Sequence, residues 1–178
     1  MLDKKLEKHI DLLMKRYPVL GSIKEDIVNA YLIMEESYIN GGKMLIAGNG
    51  GSAADSEHIA GELMKRFKTP RPVSDEYAVK LKTIDSERGE ELAKNLECSL
   101  MAIPLVAHEA LTTAYINDVD GLGVFAQQLC GYGKAGDVFL GISTSGNSKN
   151  VMNATVVARA SGIKIVGLTG AKGGELAD

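Results

Sequence analysis

Two loops and one helical pair carry the residue types and spacings that could do chemistry. The loops are Gly48-Asn49-Gly50-Gly51-Ser52 and Ser143-Thr144-Ser145-Gly146-Asn147-Ser148, and the pair is His58 with Glu62. In the second loop the hydroxyls of Ser143, Thr144, Ser145 and Ser148 converge with a glycine just before a predicted helix. Hydroxyl donors, backbone N–H groups and the positive end of a helix dipole can together face one phosphate. The same residues also suit a plainer arrangement, in which Ser148 caps the helix and the other hydroxyls satisfy turn backbone.

The first loop contains neither Gly-Lys-Ser/Thr nor G-x-G-x-x-G, which argues against nucleoside triphosphate and dinucleotide binding. Ser52 followed by Asp55 resembles a capping box, a reading that needs no ligand. The glycines would still let the backbone approach a substrate closely. His58 and Glu62 stand four apart, which puts both on one helix face, able to share a metal or a substrate. Such a pair is also common as solvated surface charge. Two ligands do not define a catalytic zinc, which takes three from the protein. Asn117-Asp118, ahead of an Asp120-Gly121 turn, offers amide and carboxylate groups for sugar hydroxyls or for ordinary Asx capping. Lys65, Arg66, Lys68 and Arg71 form a basic run that would sense a phosphate or simply face solvent. His9 and His108 are given no role.

A chain of 178 residues with 45% hydrophobic and 24% charged residues suits one globular domain over 1–178. A net charge of −3 argues against a broad nucleic-acid footprint and leaves a local anion pocket open. Cys98 and Cys130 form no C-x-x-C and no disulfide framework, the pattern of reduced thiols in a cytoplasmic protein. The N-terminal segment lacks a signal peptide's apolar core, and no later run is long enough to cross a bilayer.

Those candidate groups need a scaffold. Leu2, Leu6, Ile10, Leu13 and Tyr17 recur at helical spacing up to Pro18, and a second helix is expected from a Ser22 cap to about Asn40. This N-terminal helix pair needs a cover for its apolar stripe, which a partner subunit would supply. Lys43 to Ala47 reads as a buried strand and the segment from Ser52 to about Phe67 as a helix. The polar stretch Lys68 to Cys98 is the least readable, with a helix over Glu87 to Leu96. Leu100 to Val106, Asp137 to Ile142 and Ile163 to Thr169 read as strands. His108 to Tyr115, Gly121 to Leu129 and Ser148 to Ala160 read as helices. The alternation predicts an α/β fold with a parallel sheet covered on both faces. Both loops would then lie at the carboxyl ends of strands, where such sheets bind ligands.

Taken in this order, Gly48 to Asp55, His58, Glu62, Asn117-Asp118, Gly141 to Ser148, Leu168-Thr169-Gly170 and Gly173-Gly174 resemble the sugar isomerase (SIS) family, and within it the phosphoheptose isomerases. The resemblance covers nearly the whole chain. It implies a three-layer α-β-α domain with a five-stranded parallel sheet, assembled as a homotetramer whose sites draw on more than one subunit. It further implies isomerisation of sedoheptulose 7-phosphate to a heptose 7-phosphate for surface polysaccharide. By motif position, Asn49, Gly50, Gly51, Glu62, Asn117 and Asp118 would contact substrate, and Ser143, Thr144, Ser145 and Ser148 would hold its phosphate. His58 and Glu62 would be zinc ligands, and Glu62 also the base that moves a proton between C1 and C2. The family pattern continues into a C-terminal helix bearing a glutamine and a histidine of the same site, so the sequence reads as a single SIS domain lacking that helix. The Lys68–Cys98 connection is longer than in the shorter members. Two other readings stand beside this one. The first is a non-catalytic SIS protein that associates with a replication initiator, against which Glu62 argues. The second is an SIS isomerase of another sugar phosphate, such as a pentose or hexosamine phosphate.

Overall fold

The computed structural model of the chain describes residues 3–178, so Leu2 of the first predicted helix lies outside the described residues. Helix α1 (Lys4–Arg16) starts where the Asp3 side chain accepts from the Lys5 amide. Ser22 caps nothing. Pro18 instead opens a 3-10 turn, Pro18–Ile23, that runs directly into α2 (Lys24–Ile39), so α2 has no side-chain cap.

Strand β1 (Met44–Gly48) is buried along its whole length, as a central parallel strand must be. It leads into α3 (Gly51–Met64). The charged excursion that follows folds as two helices, α4 (Asp75–Ile84) and α5 (Ser86–Asn95), the first of which is not legible in the sequence pattern. They pack against each other as a hairpin, with Gly89 of α5 directly against the Leu81 backbone of α4. Then come β2 (Ala102–Pro104), α6 (Glu109–Asp118), α7 (Val124–Tyr132), β3 (Val138–Ser143), α8 (Lys149–Ala160) and β4 (Lys164–Thr169). His108 has a structural role after all, because its Nδ1 accepts from the Leu111 amide and caps α6.

The described residues form a parallel sheet of four strands in the order β2-β1-β3-β4, not the five that the resemblance implied. The reason is visible in the composition: four apolar runs can be strands, and the remaining long segment, 68–98, is amphipathic and charged. Alternate residues of each strand face opposite layers. Leu45, Ala47 and Phe139 pack with Val124, Phe125 and Leu129 of α7 and Val151, Ala154 and Ala158 of α8. Met44, Ile46, Leu140 and Ile142 pack with Ala60 of α3 and with Met34 and Tyr38 of α2. Two apolar clusters on one sheet are the three-layer α-β-α arrangement.

At the amino ends of β1 and β3, Asp137 is fully buried and pairs with the Lys43 ammonium at 2.6 Å. Its carboxylate also accepts from the backbone N–H of Lys43 at 3.1 Å and of Lys134 at 2.8 Å. This buried, satisfied ion pair fixes the strand register at Met44↔Val138. No helix of the described residues is long and apolar enough to cross a membrane.

Candidate functional site

The sheet order creates one crevice. From β1 the chain crosses to β2 through α3 on one face, and from β3 it crosses to β4 through α8 on the other. β1 and β3 are hydrogen-bonded neighbours with Gly48 opposite Ile142, so the two candidate loops leave the sheet side by side. In open parallel sheets this switch point is where ligands bind.

In the first loop Gly50 sits at φ +56°, a conformation L side chains rarely adopt, and it occupies the N-cap position of α3. Ser52 therefore lies inside the first turn and is not the cap of a capping box. Its carbonyl accepts from the Ser56 hydroxyl at 2.7 Å. Asn49, Gly50 and Gly51 are exposed and available to a ligand. The Asn49 carboxamide pairs with that of Asn150 in the first turn of α8, each donating to the other at 2.9 and 2.8 Å.

The serine loop is built from both sides. Ser143 is buried and its hydroxyl lies 2.9 Å from that of Ser148, so Ser148 stands at the N-cap position without capping through its side chain. Ser145 accepts from the Asn147 amide, the turn-satisfying role that one sequence reading allowed. Thr144 and Ser145 are exposed at the rim, beside the start of the 12-residue helix α8. Behind them, the Asn147 side chain accepts from the Glu175 amide at 2.9 Å, and the carbonyls of Thr144 and Gly146 accept from Gly170 and Leu176 at 3.1 and 3.0 Å. Gly146 has φ +68°, and a Cβ there would collide with the Gly173 carbonyl. The segment from Gly170 to Leu176 thus buttresses the loop.

His58 and Glu62 face a different space. They line an open cleft of about 590 Å³ together with Lys5, Phe67, Lys68 and Arg71, and none of the loop residues borders it. At a rise of about 1.5 Å per residue, Glu62 stands roughly 16 Å along α3 from Gly51. The structure brings Asn49, Gly50 and Gly51 together with Ser143, Thr144, Ser145 and Ser148. It does not place His58 and Glu62 with them. The Glu62 Oε2 atom is buried with no hydrogen-bond partner among the described residues, a costly arrangement unless a ligand completes it. Its other oxygen is 3.5 Å from the Lys65 ammonium. Among the described residues no group of three or more His, Cys, Asp or Glu side chains could hold a metal. A catalytic zinc takes three protein ligands, so His58 and Glu62 are a partial donor set.

Asn117 and Asp118 form the last turn of α6, exposed and hydrogen-bonded to each other at 2.7 Å, and not a free loop. The adjacent turn is capped by Asp120. Two arginines of the basic run are engaged in structure rather than held out for a phosphate. Arg66 pairs with Glu97 at 2.8 Å, and Arg71 donates to the carbonyls of Leu63 and Cys98. Together with Ser99, which donates to the Met64 carbonyl, these bonds end α3 and close the neck of the α4–α5 excursion. Nearby, burial pushes the Tyr38 phenol up to about 12, partly offset by the Arg71 charge. Asn150 is the functional candidate that sequence spacing missed, since a side chain that crosses between two loops leaves no local period, and Asn147, inside the serine loop, carried no role of its own in the sequence.

A model of the SIS domain matches residues 17–103 and 95–170. Phosphoheptose isomerase of Coxiella burnetii (strain RSA 331 / Henzerling II) is 37% identical over 152 residues, covering 85% of this chain and 63% of that protein. The Akkermansia muciniphila phosphoheptose isomerase is 36% identical over 160 residues, covering 90% of this chain and 71% of its own length. The chain thus spans just under two thirds of the first of these relatives. The solved structure of phosphoheptose isomerase GmhA from Neisseria gonorrhoeae superposes with a TM-score of 0.69 at 31% identity, over 99% of this chain and 79% of that one. With its three-layer sheet, its paired loops at the switch point and these relatives, the chain belongs to the SIS-domain family, among the phosphoheptose isomerases.

Proposed function

We propose that the protein is an aldose-ketose isomerase that converts D-sedoheptulose 7-phosphate to D-glycero-D-manno-heptose 7-phosphate, feeding nucleotide-heptose synthesis for surface polysaccharide. The single observation that carries the reading is the switch-point crevice, where the Asn49-Gly50-Gly51 turn adjoins the buttressed serine loop. The names of the relatives agree with it.

In this reading the hydroxyls of Ser143, Thr144, Ser145 and Ser148 and the first amides of α8 hold the phosphate. The turn after β1 binds the sugar hydroxyls, and Asn117-Asp118 add further contacts. Anchoring the phosphate fixes the far end of the chain and so orients C1 and C2. Glu62 removes a proton from C1 as the C2 carbonyl oxygen gains one, giving an enediol. It then returns the proton to C2 while the C1 hydroxyl loses its own, leaving an aldehyde. Glu62 is the carboxylate suited to this transfer, since its side chain borders an open cleft beside His58. Because Glu62 lies in a cleft apart from the crevice of its own chain, the reading has a site completed by a second subunit in a cytoplasmic homotetramer. Exposed apolar side chains on α1 and α2, Leu12, Leu32 and Ile39 among them, offer surface for such partners. We also propose zinc, held in part by His58 and Glu62 with donors from outside the described residues. It would polarise substrate oxygens and stabilise developing negative charge.

Incubation of the full chain with sedoheptulose 7-phosphate, a pentulose 5-phosphate and a hexosamine phosphate, with products read by NMR, tests the proposal. Conversion of the heptulose phosphate is expected. Turnover of another sugar phosphate alone would point to a different SIS isomerase, and binding without turnover to a binding module; either result overturns the proposal.

A further inference from the structure

The Asn49–Asn150 pair spans 101 residues of sequence and joins the turn after β1 to the first turn of α8. Among the described residues no other side-chain hydrogen bond links these two loops. A carboxamide offers two donors and one oxygen with two lone pairs, so reciprocal pairing uses half of each group and leaves the rest free. The pair alone would be preserved if both amides flipped together. It does not flip freely, because Asn150 Oδ1 also accepts from the Val151 amide at 3.0 Å. That bond sets which face of Asn150 is oxygen, and the reciprocal contact passes the choice to Asn49. The remaining N–H and lone pair of Asn49, which is exposed, are thereby aimed in one defined way.

We propose that Asn150 is a positioning residue: it fixes the orientation of Asn49 and the spacing between the sugar-binding turn and the phosphate loop. The inference rests on the sugar-phosphate reading above and adds to it a residue that the family motif did not assign. In that reading phosphate is held by the serine loop and by first-turn α8 amides other than that of Val151, which Asn150 engages, and the buttress of the loop through Asn147 and Glu175 is independent of the pair. Asn150 therefore governs how sugar and phosphate are held together and leaves phosphate binding alone.

The test compares wild type, Asn150→Ala, Asn150→Ser, Asn49→Ala and the Asn49→Ala/Asn150→Ala double variant in the full chain. Affinities for inorganic phosphate and for sedoheptulose 7-phosphate are measured by calorimetry, and the Asn49 side-chain amide is followed by NMR. Losing the pair is expected to weaken the sugar phosphate about tenfold, the worth of roughly one net hydrogen bond or two. Inorganic phosphate should bind within about twofold of wild type, and the two replacements at position 150 should agree. In the Asn49→Ala background, Asn150→Ala should add less than about twofold, since it acts through Asn49. Faster solvent exchange of the Asn49 amide in Asn150→Ala is expected without any ligand. Unchanged sugar-phosphate affinity, equal losses for both ligands, or fully additive single effects would each overturn the proposal. If wild type binds inorganic phosphate but no sugar phosphate, the functional reading itself fails, a result distinct from these.

Discussion

Replacing Lys43 by methionine tests whether the sheet is pinned as described. Methionine keeps the length and apolar stem of lysine but removes the ammonium that lies 2.6 Å from Asp137. Asp137 is fully buried, so its carboxylate would keep only the two backbone donors, from Lys43 and Lys134. Stranding one partner of a buried pair costs about 3–5 kcal/mol. In a domain whose total stability is of order 5–15 kcal/mol, that is a large share. For a chain of this size it corresponds to a melting point roughly 6–20 °C lower. The second replacement supplies the sign. Asp137→Asn added to Lys43→Met removes the stranded charge and keeps one oxygen for one backbone donor, while its amide nitrogen faces the other, so it should recover only part of the loss, about 1 kcal/mol. Urea unfolding followed by circular dichroism at matched protein concentration reads both. A Lys43→Met loss below about 1 kcal/mol, or no recovery on adding Asp137→Asn, would refute the reasoning.

Gly146→Ala should destabilise more than Gly162→Ala, although both glycines have φ near +68°. Each variant carries about 1–3 kcal/mol of backbone strain. Only at position 146 does the new Cβ also collide with the Gly173 carbonyl, so only that variant should displace the serine loop and weaken phosphate binding in calorimetry. Tyr38 supplies a pH dependence. Its phenol is raised from 10.0 to about 12, so the folded state holds the proton longer than the unfolded one, and its contribution to stability is complete below pH 10 and lost as pH rises through about 12. Tyr38→Phe should flatten that alkaline slope in denaturation curves taken between those limits, and an unchanged slope would show the effect to lie elsewhere.

Apolar periodicity was enough to find the strands and most helices, because parallel strands buried on both faces read as short apolar runs and amphipathic helices as spaced ones. It failed at α4, where Tyr77, Val79 and Ile84 stand exposed and only Ala78 and Leu81 are partly covered, too short a buried set to read as a period. Local capping rules failed at Ser22 and Ser52, where a 3-10 turn and a positive-φ glycine do the work that a side-chain cap would have done. The hydroxyls of the serine loop were legible from type and position, yet Ser143 and Ser148 turn out to bond each other. What sequence could not convey was assembly at a distance: the Asn49–Asn150 bridge, the grip of Asn147 on Glu175, and the separation of Glu62 from the crevice. The first depends on β1 lying beside β3 across about ninety intervening residues, the second on β3 lying beside β4, and the third on the length of α3.

The role proposed for Glu62 is tested most directly by Glu62→Gln, which keeps the side chain's size and removes its capacity to take a proton. With sedoheptulose 7-phosphate as substrate and D₂O as solvent, wild type is expected to form the heptose phosphate with deuterium at C2, taken up where the proton held by Glu62 exchanges with solvent before its return. The variant should bind the substrate with an affinity within about threefold of wild type while turnover falls about 10²–10⁴-fold, the usual worth of a positioned general base. Turnover by Glu62→Gln within about fivefold of wild type would contradict the account, since the proton would then be moved by another group.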